Sequence, residues 1–214
     1  EQLILPGDTD KNDKVNHFDL LNLGFGFQED GPDRRQEMNT TMEEYGMPWS
    51  TATPSSNVNW SHLDCDGDGL IQITDQEVID QNWFVEQAEG FIIPDNGLFP
   101  DIGIPLYVIG DSLVPGEINE LSINLGTIDE LANNIYGLAF TIRFEDIMVE
   151  ESIQVVLDSN WLADNNSPFL SIARTDIKQN KFYISMVRTD LQNMDGFGTI
   201  GTLKFKVKES ASTN

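Results

Sequence analysis

A change of hydrophobic period partway along this chain predicts an α+β protein of two domains. Before residue 90, two acidic stretches of twelve residues each run into a short apolar segment with helical spacing. Beyond residue 102, apolar and polar residues alternate at period two in short runs. Between these regions Pro94, Gly97, Pro100 and Gly103 interrupt any regular element. The expected layout is a small helical domain over 1–90, a linker over 91–101, an antiparallel β-sandwich over 102–208 and a tail over 209–214.

The clearest motif runs from Asp64 through Cys65, Asp66, Gly67, Asp68, Gly69, Leu70, Ile71, Gln72, Ile73 and Thr74 to Asp75. Oxygen-bearing side chains stand at loop positions 1, 3, 5, 9 and 12, with glycine at 6 and an aliphatic residue at 8, the pattern of a calcium loop. A hard cation taking six to eight oxygens needs several carboxylates converging, and a spacing of two in a tight turn turns alternate side chains inward. Gly69 allows the left-handed backbone that reverses the chain. Position 12 is Asp75 where Glu is usual, so the closing ligand has a shorter arm.

The same grammar recurs at Asp8, Asp10, Asn12, Asn16 and Asp19, with Val15 at position 8. Asp13 replaces the glycine of position 6, and Asp visits the left-handed region more readily than most residues. Two loops in register form an internal repeat, beginning 56 residues apart. Each is followed by an apolar segment: Phe18, Leu20, Leu21 and Leu23 after the first, Val78, Ile79, Trp83 and Phe84 after the second. Gly24 and Gly26 shorten the first expected helix. Neither loop is preceded by a good amphipathic helix.

A loop with only its exiting helix resembles the half EF-hand of dockerin modules, and Gly7 to Leu21 is similar to a first type I dockerin repeat, with Asp64 to Asp75 similar to a second. The resemblance implies two calcium ions needed for folding. It implies ligation by Asp8, Asp10, Asn12, Asn16 and Asp19, and by Asp64, Asp66, Asp68, Gln72 and Asp75, with the position-7 carbonyls of Lys14 and Leu70. It also implies partner recognition through positions 10 and 11, here His17-Phe18 and Ile73-Thr74. The two pairs differ from each other, which argues against two-way binding. The spacing exceeds that of the family, so residues 28–63 read as an insertion.

That insertion holds Tyr45, Trp49 and Trp60 and a possible short helix over 36–45. A long loop inside a compact domain is functional or packed. Packing is the favoured reading for the tryptophans; sugar stacking by Trp49, Trp60 or Trp161 is the alternative. The aromatic insertion before the second loop is similar to dockerin-like segments of very large surface proteins of Bacteroidetes-type bacteria.

In the second half, runs over 104–109, 121–125, 136–144, 153–157, 169–174, 182–186 and 203–207 predict at least seven strands with one wet face. Ile135 to Phe144 and Gly198 to Val207 resemble strands of a cohesin or related carbohydrate-module sandwich, jelly-roll or Ig-like. The motifs specify a sandwich core, not a function.

Composition narrows the function. The chain has 36 acidic and 12 basic residues, net −24. Phosphate neutralisation needs Lys and Arg, so nucleic acid is a poor partner, as is an anionic membrane. Up to Gly97 there are 20 acids and 4 bases, against 16 and 8 beyond, so the excess sits with the loops. No apolar run is long enough to span a membrane. No basic and apolar leader opens the chain, so residue 1 reads as a processed start or a cut from a longer chain. Cys65, the single cysteine, excludes an internal disulfide and reads as a structural thiol. Two histidines, both in or beside loops, leave no nucleophile constellation, zinc cluster or phosphate-cradling loop, so no catalysis is expected.

Together these observations predict a secreted, non-catalytic, calcium-stabilised assembly module of a larger cell-surface adhesin or filament. Its expected partner is a cohesin-like domain or further copies of the same protein. The alternative is a polysaccharide-binding module.

Overall fold

The computed structural model describes residues 1–34, 40–54, 56–84, 103–157, 160–163 and 169–211. The expected α+β arrangement with a helical first domain is overturned. Among the described residues 38% are strand and 12% helix, distributed over several small sheets. The two α-helices, α1 (Leu20–Gly26) and α2 (Ile73–Gln81), have only 7 and 9 residues. The reason is local. Each acidic loop is irregular by design, only its exit side can be helical, and Gly24 and Gly26 are poor helix formers.

The first half also carries β1 (Gln2–Ile4) paired antiparallel with β2 (Glu44–Gly46). The helix expected over 36–45 is absent from its described part: residues 40–42 turn and β2 follows, while 35–39 lie outside the described residues. The expected linker 91–101 also lies outside them. Trp49 is buried, and the Asn59 side chain clamps its backbone, accepting from the Trp49 N–H (2.8 Å) and donating to its carbonyl (2.9 Å). Trp60 packs half-buried against the apolar cluster around Leu63 and Ile71, and Trp161 against the one around Phe182 and Ile200. All three tryptophans pack against the chain's own apolar residues.

All seven expected runs of the second half are strands: β3 (Leu106–Gly110), β4 (Ile118–Leu125), β6 (Gly137–Arg143), β7 (Gln154–Val156), β8 (Phe169–Asp176), β9 (Lys181–Arg188) and β11 (Gly198–Lys206). Two short strands, β5 (Ala132–Ile135) and β10 (Met194–Gly196), pair with each other. The main sheets are antiparallel, ordered β3-β4-β11-β7 and β6-β9-β8. They close on a core of Ile123, Leu125, Phe182, Ile184, Met186, Ile200, Leu203 and Phe205, the inward-pointing set that the alternation marks. Ala211, in the expected tail, packs on its edge.

The expectation of one wet face per sheet fails for β6-β9-β8. Strand β9 is buried along nearly its whole length. Its outward residues Tyr183 and Val187, with Leu170 and Ile172 of β8, are covered by the loop-bearing half. A second core unites Val15, Leu20, Leu23, Leu63, Ile71, Val78 and Ile79 with Leu170, Ile172 and Val187. Helix α1 lies on this sheet so closely that a Cβ on Gly24 would stand 2.5 Å from the Arg188 carbonyl oxygen. The Phe25 and Tyr136 rings meet at 4.6 Å. From α2, Gln76 donates to the Ser171 carbonyl (2.9 Å), and Arg174 donates to the Asp80 carbonyl (2.8 Å) while its guanidinium sits 5.0 Å over the Trp83 ring. The molecule therefore has three layers: four-stranded sheet, three-stranded sheet and loop unit.

Candidate metal centres

Both acidic stretches are wrapped turns in which main-chain N–H groups point at side-chain oxygens. In the first, the closing Asp19 accepts from Thr9 (2.8 Å), Asp10 (3.2 Å) and Asn16 (2.7 Å). In the second, Asp75 accepts from the equivalent residues Cys65 (2.5 Å), Asp66 (3.1 Å) and Gln72 (2.7 Å). Asp75 also completes a capping box with Gln72, so one carboxylate closes the loop and starts α2. At position 5, Asn12 accepts from Lys14 N–H (3.0 Å) and Asp68 from Leu70 N–H (2.8 Å).

The reversals require left-handed residues at positions 4 and 6 of each loop. Gly67 and Gly69 occupy them in the second loop (φ 79° and 86°), Lys11 and Asp13 in the first (φ 59° and 67°). The left-handed Asp13 is legible in the motif; the requirement at position 4 is not. Gly69 is doubly constrained, since an added Cβ would lie 2.8 Å from the Gly31 carbonyl oxygen. Gly69→Ala should therefore lower stability by about 1–2 kcal/mol, read as a lower midpoint in urea unfolding.

Within this frame the carboxylates converge. Asp8, Asp10 and Asp19 offer oxygens all within 4.8 Å of one another, and so do Asp64, Asp66 and Asp68. Asp8, Asp19, Asp64, Asp66 and Asp75 are buried. Burial first, and then neighbouring carboxylates, raise the pKa of Asp8 to about 7 and push Asp19 and Asp75 well above their ordinary value. Asp64 rises to about 6, held back by the Arg34 guanidinium. Groups in this condition keep their protons or take a cation. One oxygen of Asp64, Oδ2, is buried and accepts no hydrogen bond, with the Arg34 guanidinium 3.7 Å away as its ion-pair partner. The chemistry of the donor set, all hard oxygen, suits a cation such as calcium or magnesium.

Other predicted ligands make hydrogen bonds within their own loops. Asn12 donates to Asp10 Oδ2 (2.9 Å), Gln72 donates to Asp68 Oδ2 (2.8 Å), and Asn16 accepts from Phe18 N–H (2.9 Å). Cys65 is buried with its thiol toward the His62 and Leu63 carbonyls, and burial pushes its pKa up, as befits a structural thiol.

The residues expected to meet a partner divide. His17 is buried, its ring 5.3 Å from Tyr183 and its Nε2 3.4 Å from Thr141 Oγ1. Phe18 stacks against it at 4.2 Å. His17 is thus packed into the chain's own interior, while Phe18 beside it is half-buried. In the second loop Ile73 is 49% exposed, whereas Thr74 is half-buried with its hydroxyl oxygen inside.

Two further features escape motif reading. The repeat extends past the loops: Gln28 and Phe84, 56 residues apart, both adopt positive φ (71° and 62°). Gln28 N–H donates to the Ile71 carbonyl (2.7 Å) and Phe84 N–H to that of Val15 (2.8 Å). Each repeat thus ties its helix end to position 8 of the other, and the two loops form one unit related by an approximate two-fold. Carrying the offset of 56 beyond the loops pairs Leu23 with Ile79 and Phe27 with Trp83, a signal present in the sequence. The other is Arg34, from the insertion, whose Nη1 lies 3.7 Å from Asp64 Oδ2. No local pattern announces it. No protein-family model matches the chain, and no curated protein matches it.

Proposed function

We propose that this chain is a non-catalytic, calcium-stabilised structural module of a larger surface adhesin or filament, working outside the cell. Two calcium ions, one in each acidic loop, hold the loop unit folded and seated on the three-stranded sheet. The observation that carries this reading is the duplication of the carboxylate cluster in two loops with matching main-chain hydrogen bonds. The excess negative charge of the loop-bearing half and the dockerin-like order of the ligands support it. Millimolar calcium outside cells suits even weak sites of this kind. Binding energy becomes folding energy, because the ion offsets repulsion among buried carboxylates. A protein partner, a cohesin-like domain or another copy, would meet the side that exposes Ile73, since His17 is buried.

Isothermal titration of the chelator-treated chain should give two calcium ions per chain, with magnesium binding weaker. One ion or none would refute the reading. A pH dependence follows. Asp8, raised from 3.8 to about 7, binds its proton more tightly folded than unfolded. In chelator that stabilisation is full below about pH 4 and disappears as pH rises through about 7. Melting temperatures in chelator should accordingly decline over this range. Calcium replaces the proton, so its affinity should rise over the same window.

A further inference from the structure

We propose that Arg34 is a resident counter-ion of the second loop, holding that loop formed without an ion and setting its calcium affinity below what its carboxylates alone would give. This rests on the calcium reading above. The guanidinium cannot lose its charge and its side chain is 2% exposed, 3.7 Å from the position-1 ligand Asp64. It is held there by design: Nη1 donates to the Ser61 carbonyl (2.8 Å), Nη2 to that of Cys65 (3.0 Å), and the Arg34 N–H to that of Gly67 (2.9 Å). Gly46 leaves room for the stem, since a Cβ there would lie 2.8 Å from Arg34 Cδ.

The first loop is built otherwise at this position. Both position-1 carboxylates accept main-chain N–H groups, Asp8 from Asn12 (3.0 Å) and Asp13 (2.9 Å) and Asp64 from Gly67 (2.9 Å), but Lys11 and Lys14 of the first loop are exposed or half-buried. A calcium ion bound to Asp64 stands about 2.3–2.6 Å from its oxygen, so it and the guanidinium share one carboxylate at close range. Screening is weak in such a buried place. The cation that steadies the loop thereby opposes the ion, and the second site works as a preformed but weaker site.

The test uses the full chain with Asp8→Ala, which removes the position-1 ligand of the first loop, and adds Arg34→Gln or Arg34→Lys. Calcium titration should show affinity at least about tenfold tighter in Arg34→Gln, with a lower melting temperature in chelator. Arg34→Lys, which keeps the charge, should stay near the Arg34 parent in calcium affinity. Unchanged or weaker affinity in Arg34→Gln would overturn the proposal, because Arg34 would then be only a strut. If Arg34→Gln folds in saturating calcium but not in chelator, the proposal is supported; if it folds in neither, it is overturned. Failure of the unaltered chain to bind calcium would remove the calcium reading and this inference together.

Discussion

Chelation of calcium at pH 7.5 should lower the melting temperature of this chain by roughly 10–20 °C. Each site held at about a hundred times its dissociation constant contributes about 2.7 kcal/mol to the folded state. For a chain of this size, 1 kcal/mol moves the midpoint by about 2–4 °C. Two sites therefore account for the shift. The loss should not stay confined to the loops, because Val15 and Ile71 at position 8 share a core with Leu170, Ile172 and Val187 of the sheet. Differential scanning calorimetry should show the calcium-loaded chain melting late and cooperatively, and the chelated chain melting early. Asp8→Ala with Asp64→Ala should abolish the calcium effect. Coincident melting curves with and without chelator would sink the metal reading.

Replacing Gly24 with alanine should destabilise the protein by about 3 kcal/mol, although the change adds one methyl group to a helix and alanine is the better helix former. The new Cβ would stand 2.5 Å both from the Arg188 carbonyl oxygen and from Val187 Cγ2. Neither can yield cheaply: the carbonyl is strand backbone, and Val187 is fully buried. Relief requires α1 to lift from β9, which loosens the His17 and Trp83 contacts to Tyr183 (ring centroids 5.3 and 5.9 Å apart). Urea unfolding should give the energy, and tryptophan fluorescence should report Trp83 leaving its place beneath Arg174. A neutral or stabilising result would mean that the loop unit does not sit on this sheet face. The control is an alanine at Gly103, where an added Cβ meets nothing within 4 Å; its positive φ of 69° limits the expected loss to about 1 kcal/mol.

Much of the candidate site was legible because its signal is local. A calcium loop is a run of twelve residues, and the side-chain spacing alone says which oxygens can converge. The left-handed Asp13, the short α1 and the inward faces of seven strands follow from the same kind of short-range rule. The helical first domain did not follow, because exit segments of this length support only two short helices among irregular loops. Lys11 at position 4 also breaks the rule that a left-handed site announces itself by glycine; the loop's hydrogen bonds hold it there instead.

What residue order determined by itself was therefore the chemistry of the loops and the alternation of the strands, each decided within a dozen residues. Tertiary structure alone decided which surfaces are free. Tyr183 and Val187 alternate with the inward Phe182, Ile184 and Met186 and so read as positions of a wet face, yet the loop unit covers them together with Leu170 and Ile172. His17 reads as a recognition residue and is buried beneath that contact. Arg34 reads as one cation in an acidic insertion and lies beside Asp64, 30 residues further along. The physical reason is common to all three: burial of apolar area and pairing of charge depend on distance in space, and only the packed chain sets those distances.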